Sequence, residues 1–284
     1  MKMRSLVSNL LFSFLIFGSL VAANSEKGCK RIKCTLEKIS GGKAHFSGPM
    51  VPVKKPRAKG LGKPIVFSTN WSGYAAENNF SSPDKHSVTS VEGSWIVPSI
   101  SPAQSGSYCY IWAGIDGYDN DTVEQIGTAH NWFAGSLQQF AWFEMFPAGA
   151  FFIGGFPVNT GDQIKVSVKY AGNHTFILKI YNITQQVFFQ VPTSLTKSKA
   201  AKRQSAEWIV EAPLQPLSNF SPIQFGSCTA IIKGQKEVTG WFPHTPIVMV
   251  DSNFIPQSIP SPIPTILSSR KGAFFVTRQP ETPA

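Results

Sequence analysis

The stretch Ser205-Ala206-Glu207-Trp208-Ile209-Val210-Glu211 reads as one short strand. Alternate side chains of a strand point to opposite faces. Ala206, Trp208 and Val210 form an apolar face that belongs in a core. Glu207, Ile209 and Glu211 form the other, which carries two acids that packing does not need. The same grammar recurs from Asn70 to about Val250, as short apolar alternations broken by Gly, Pro, Asn and Asp. Ser87–Val97, Tyr108–Ile115, Gln138–Phe146, Gln163–Tyr170, Thr175–Tyr181 and Ala206–Glu211 each have ordinary strand length. Phe, Trp, Tyr, Val and Ile are plentiful, as sheets favour. No segment has helical length with caps at both ends. The expected fold is all-β, a sandwich of two antiparallel sheets of the concanavalin A-like, lectin–glucanase type with a concave groove.

The 284 residues hold one large domain over 68–250 and flanking segments. Lys2 and Arg4, the apolar run Leu6–Leu20 and the small residues Val21-Ala22-Ala23 read as a secretory signal cut after Ala23. Residues 24–67, rich in Gly, Lys and Pro, read as a basic propeptide or linker with little periodicity, and 53–60 as an exposed connection. The tail 251–284 opens with Pro256, Pro260, Pro262 and Pro264, which bars it from being a central strand; it packs on the surface or hangs loose.

The formal charge of +10 does not describe the domain. Residues 1–69 hold thirteen Lys/Arg and two Glu, whereas 70–284 hold thirteen Lys/Arg and fourteen Asp/Glu. A phosphate-binding body would carry its basic patch on the folded part, so a nucleic-acid partner is excluded. So is a membrane partner once the signal is removed. The expectation is a secreted monomer, extracellular or periplasmic.

Cys29, Cys34, Cys109 and Cys228 remain after signal removal. Four cysteines allow three connectivities. Cys29 with Cys34, close together in the leader, and Cys109 with Cys228 are the expected bridges, the second worth roughly 4–5 kcal/mol in the chain-entropy model. No C-x-x-C or H-x-x-x-H spacing supports zinc, and no cofactor or metal is implied. Six N-x-S/T sequons begin at Asn70, Asn79, Asn120, Asn173, Asn182 and Asn219.

Three further segments set polar groups beside aromatics. In Ile111–Gly117, Trp112, Gly114 and Asp116 share a strand face. In Val123–Gly127, Gln125 sits inside a partly apolar run. In Ala141–Pro147, Trp142, Glu144 and Phe146 share a face. Aromatic walls with a few polar groups describe a ligand groove. Core packing accounts equally well for Trp112 and Trp142, and a turn before Gly117 for Asp116.

Together these segments resemble the glutamic peptidases, the eqolisin family of secreted fungal acid endopeptidases with some bacterial relatives. The family's tryptophan–aspartate strand resembles Ile111–Gly117, and its Leu-Gln-Thr-Gly setting matches Gln125 in Glu124-Gln125-Ile126-Gly127. Its Trp-Tyr-Glu-Trp-Tyr-Pro resembles Trp142–Pro147, and its Asn-Ala-Glu-Trp-Ile-Val-Glu matches Ser205–Glu211. Its early Asn-Trp-Ser-Gly-Tyr stands at Asn70–Tyr74. Order is preserved over roughly 70–230. Glu124 and Ile126 depart from the pattern, and the family's cysteines are mostly missing.

The resemblance implies polypeptide substrates and a catalytic pair of Gln125 and Glu207, with Trp112, Asp116 and Glu144 lining the substrate groove. Glu207 would take a proton from water and return it to the leaving amine. The Gln125 amide would donate to the oxyanion while its carbonyl orients the water. Neighbouring carboxylates raise one another's pKa values, which fits acid pH. Glu211, about 13 Å further along the strand, reads as too distant to replace Glu207. The rivals are a glycoside hydrolase using paired carboxylates such as Glu144 and Glu207, and a non-catalytic sandwich binding sugar or protein. His86, His130 and His174 have no recognisable nucleophile beside them.

Overall fold

The computed structural model describes residues 26, 28–39, 47–53, 65–102, 106–196, 200–263 and 272–280. The expected signal peptide and the 54–60 part of the basic connection lie outside these.

The described residues form strands β1 (Lys30–Arg31), β2 (Thr35–Lys38), β3 (Pro52–Val53), β4 (Val66–Ser68), β5 (Trp71–Glu77), β6 (Val88–Ile96), β7 (Tyr110–Ile115), β8 (Val123–Phe133), β9 (Ser136–Phe146) and β10 (Ala150–Gly154). They continue with β11 (Gln163–Gly172), β12 (Thr175–Asn182), β13 (Val187–Ser194), β14 (Ser205–Glu211), β15 (Ile223–Ile232), β16 (Gln235–Val238), β17 (His244–Val250), β18 (Pro256–Pro260) and β19 (Phe274–Arg278). The chain is all-β, as its alternations require, and among the described residues a 3-10 turn stands at Thr239–Trp241.

Hydrogen-bond pairing builds two antiparallel runs. One is β10–β9–β8–β7–β14–β5–β17. The other is β13–β12–β11–β6–β15. Strands β18 and β19 carry the pairing from β17 across to β15, so the runs are continuous. Side chains of both runs meet in the larger core, where Ala206, Trp208 and Val210 lie with Val91, Trp95, Ile164 and Phe176. The Trp208 indole donates to the Glu92 carbonyl at 2.7 Å. Gly93 makes room for it, since a Cβ there would lie 2.8 Å from Trp208 Cδ1. Losing so large a buried ring costs about 3–5 kcal/mol.

Three expectations change. The leader is not featureless: β1 adds to β13 in parallel, β2 adds to β10, and β3 pairs with β4. Such additions satisfy edge groups that would otherwise be open. The proline-rich tail does supply a central strand, because β18 lies between β17 and β19. Its prolines stand at the strand ends, Pro256 and Pro260, leaving Ser258 to pair on both sides.

Neither disulfide is present: Cys29, Cys34, Cys109 and Cys228 are all free thiols. Cys29 precedes a strand on β13 and Cys34 a strand on β10, so the leader crosses between two edges at that point. Cys109 precedes β7 in the first run. Cys228 lies in the β15 bulge of the second, its thiol directed to the Gly226 carbonyl at 3.5 Å.

Candidate active site

The first run carries the site on the face opposite the larger core. Directly opposed residues of antiparallel strands share a face. Glu144, Gln125, Gly114 and Glu207 therefore form one row across β9, β8, β7 and β14. Trp142, Gly127, Trp112 and Ile209 form the next. A second apolar cluster containing Trp71, Tyr110, Trp112, Trp142 and Ile209 covers this face. The strand that opened the sequence reading is thus buried on both faces, acids included.

Gln125 is buried and donates from Nε2 to Glu144 Oε2 at 3.0 Å. That bond fixes which way the amide faces and leaves its second hydrogen for another acceptor. Gln125 Oε1 accepts from the Ser47 hydroxyl at 3.4 Å. The same hydroxyl bonds Glu211 Oε2. Gln125 and Glu211 are therefore one hydroxyl apart.

Four other donors converge on or beside Glu211. Trp112 Nε1 reaches Oε2 at 2.8 Å, while Gly48 N and Asn70 Nδ2 reach Oε1 at 3.3 Å each. The Trp71 ring meets that of Trp112 edge-on, with centroids 4.8 Å apart.

Glu207 is not in this group. The Trp112 ring lies over Gly114, the residue separating Gln125 from Glu207 in the row. A Cβ on Gly114 would meet Trp112 Cζ3 at 3.1 Å and Gln125 Cβ at 3.0 Å. Glycine leaves room there for the edge of the indole, which lies over the backbone between Gln125 and Glu207. Neither oxygen of Glu207 has a well-formed hydrogen bond among the described residues. Its charged neighbours are Asp116, Glu77 and Glu124.

Asp116 also faces away from Gln125. It ends β7 with φ +70°, a conformation aspartate tolerates better than most residues. Its carboxylate accepts from the backbone N–H groups of Arg203 and Gln204 at 2.5 and 2.8 Å, and from Asn120 Nδ2 at 2.9 Å. It braces the turn leading into β14. His130 is buried between Thr128 and Gln139, and burial pushes its pKa down to about 3, so it stays neutral.

The electrostatics follow from burial, opposed by a cation only at Glu124, where Arg203 pulls back. Burial lifts Glu211 to about 7, with the Ser47, Trp112 and Trp71 donors pulling back. It lifts Glu144 to about 9, helped by the Glu211 charge and opposed by Gln125. Glu207 and Glu124 are pushed well above the carboxylate range for the same reason. A low-dielectric site with few counter-charges holds its acids neutral through mildly acid conditions. The arrangement offers a proton acceptor, an oriented amide and aromatic walls, enough for water addition to an amide carbonyl.

Sequence reasoning gave no role to Ser47, Asn70 or Trp71, and set Glu211 aside as too distant to replace Glu207. The Asn70–Tyr74 motif was a signal for two of them. Ser47 had none.

Residues 69–248 match the model of the Peptidase A4 family. Aspergillopepsin-2 of Aspergillus niger is 26% identical over 242 residues, spanning 77% of this chain and 83% of that protein. Scytalidopepsin B of Scytalidium lignicola is 26% identical over 151 residues, 49% of this chain and 57% of that one. Among solved structures, scytalido-glutamic peptidase with a transition state analog inhibitor superposes with TM-score 0.62 at 20% identity, covering 74% of this chain and 98% of that one. Aspergilloglutamic peptidase from Aspergillus niger gives 0.51 at 22% identity, covering 61% and 99%. With the family model spanning residues 69–248, the chain belongs to the Peptidase A4 family, the glutamic endopeptidases.

Proposed function

We propose that this protein is a secreted endopeptidase that hydrolyses peptide bonds of polypeptides at acid pH on a two-sheet sandwich, with Gln125 and Glu211 as its catalytic pair. The observation that carries the reading is the single hydroxyl bridging Gln125 Oε1 and Glu211 Oε2, with Trp112 and Glu144 fixing the outer ends. A water in that place touches both a base and an orienting carbonyl. Glu211 takes its proton as the oxygen attacks the amide carbon, then passes that proton to the leaving nitrogen. The remaining N–H of Gln125 meets the oxyanion. Glu144 holds Gln125 in the amide orientation this requires.

Glu211 replaces Glu207 in the role of base because the Trp112 ring stands between Glu207 and Gln125. Solvent in place of the Ser47–Pro49 backbone removes part of the burial that raises Glu211 and brings its ionisation into the acid range. Secretion rests on the amino-terminal signal pattern, and a monomer on the absence of any sequence cue for assembly.

The glycosidase reading is less well supported. Glu144 and Glu207 stand three strand spacings apart, about 14 Å between Cα atoms, with the indole of Trp112 over the row between them. The test is hydrolysis of a denatured protein at acid pH with pepstatin present to silence paired-aspartate peptidases. Cleavage that Gln125→Ala abolishes supports the proposal. Cleavage that pepstatin abolishes, or that survives Gln125→Ala, overturns it.

A further inference from the structure

Arg203 is buried, yet among the described residues it forms no ion pair. A buried arginine is almost never unpaired. We propose that Arg203, His86 and His174 form a binding site for a small organic carboxylate, at the amino-terminal end of β14 and away from Glu211 at its other end.

The three side chains line one cavity of about 280 Å3, with Tyr170, Phe176 and Ala201 as its other walls. That is room for several waters or for a small organic molecule, more than an inorganic ion fills. His86 comes from the loop before β6, His174 from the turn between β11 and β12, and Arg203 from the entry to β14. Arg203 is buried, His174 half-buried and His86 exposed, so the cavity opens to solvent past His86. Backbone bonds fix the frame. His86 N–H donates to the Lys202 carbonyl at 2.7 Å, Val88 N–H to the Arg203 carbonyl at 2.9 Å, and Leu195 N–H to the His174 carbonyl at 3.1 Å.

The guanidinium is held in place and still has donors to offer. It stacks on Tyr170 at 3.8 Å from the ring centroid, and Nη1 donates to the Val88 carbonyl at 3.1 Å. A guanidinium carries five N–H donors. The acids that act on it through space are Asp116 and Glu124. Asp116 accepts instead from the backbone N–H groups of Arg203 and Gln204 and from Asn120.

The backbone supports a ligand role as well. His86, His174 and Arg203 have φ of +64°, +57° and +50°, a conformation uncommon outside glycine. The chain supplies its own comparison for His174. The two-residue hairpin turns Ala134-Gly135 and Lys233-Gly234 carry glycine second, as such turns favour. The turn Asn173-His174 carries an imidazole there, and that imidazole lines the cavity. Strained residues gather at ligand sites. Guanidinium and imidazole N–H groups around one space call for an oxyanion, and the buried Phe176 and Ala201 call for an apolar body behind it. An organic carboxylate supplies both. Its binding tightens the entry to β14 that Asp116 braces, whichever acid serves as base.

Benzoate is the probe, in isothermal titration of the full-length chain at about pH 5.5, where a carboxyl of this kind is ionised. One site per chain is expected. His86→Asn and His174→Asn install a residue that tolerates positive φ, and neither position touches the catalytic residues. Each should weaken benzoate about 10-fold, the weight of one hydrogen bond to a charged group, with peptidase activity in the absence of benzoate unchanged. Benzamide, which has the shape without the charge, should show no measurable binding. Benzoate at about ten times its Kd should raise the Tm of the wild type by about 3–5 °C, and the same concentration should raise that of either variant less. Sulfate binding as tightly as benzoate would mark an adventitious ion only and overturn the inference. So would an absence of benzoate binding, or benzoate binding that both variants leave unchanged.

Discussion

Glu211→Gln and Glu207→Gln, made in separate chains, divide the two acids of β14. Glutamine keeps the size of Glu211, and its amide oxygen still accepts from Trp112 Nε1, now 2.8 Å from Oε2. The proton acceptor is lost, and the amide NH2 that replaces Oε1 no longer accepts from Gly48 N–H and Asn70 Nδ2. One well-placed general base is worth about 100- to 10,000-fold, so kcat should fall by that range with KM little changed. Glu207→Gln is different in kind. Burial holds Glu207 protonated, and a neutral acid and an amide are near-isosteric. Its neighbours Asp116, Glu77 and Glu124 face a neutral group before and after the change. Turnover should stay within about threefold, less than ~0.7 kcal/mol in the barrier. The assay is the initial rate on a denatured protein at acid pH with pepstatin present, with near-UV circular dichroism to verify the fold. A dead Glu207→Gln of native spectrum beside an active Glu211→Gln would show that Glu207 is the base and that the indole of Trp112 does not separate it from Gln125. Normal turnover in both would remove β14 from the chemistry altogether.

Gln125→Ala should lose about 100- to 1000-fold in kcat, as removal of one oxyanion donor does, read in the same assay. Stability should be greatest in acid and decline toward alkaline pH. Glu77, Glu144 and Glu211 have folded-state pKa values raised from 4.5 to about 8, 9 and 7, so the fold holds their protons more tightly than the unfolded chain. Their stabilising effect is full below 4.5 and is lost as pH rises through those values; calorimetry giving a higher Tm at pH 8 than at pH 4 would refute this. Titration of the unfolded, non-reduced chain with a thiol reagent should count four free cysteines, and a count of zero would restore the two bridges expected from sequence.

The strands were legible because each needs only its own period-two pattern. Gln138–Phe146 and Thr175–Tyr181 fall within a residue or two of β9 and β12, and Trp208 faces the larger core as its alternation requires. The prolines of β18 misled, because proline forbids a ladder position only where its own N–H is needed, and Pro256 and Pro260 stand at the ends. Sequence gives no such placement. The cysteines misled for a related reason. An even count in an exported chain favours pairing, yet pairing needs Cβ atoms about 4 Å apart, and that distance belongs to the fold.

The site shows where local reading ends. Glu207 and Glu211 share a face, and the alternation that says so cannot choose between them. In the proposed pairing of Gln125 with Glu211, the choice rests on three things distant in sequence. One is the pairing of Gly114 between Gln125 and Glu207. Another is the lay of the Trp112 ring over that glycine. The last is Ser47, 164 positions before Glu211 and in a segment without periodicity. Such a segment gains its order by binding a groove already built from other strands. A short peptide held by Asn70, Trp71 and Glu211 needs no alternation of its own. A part of the leader that shows little periodicity in sequence is therefore ordered against Glu211 and Trp71, because the groove supplies the hydrogen bonds that a sheet would otherwise demand of it.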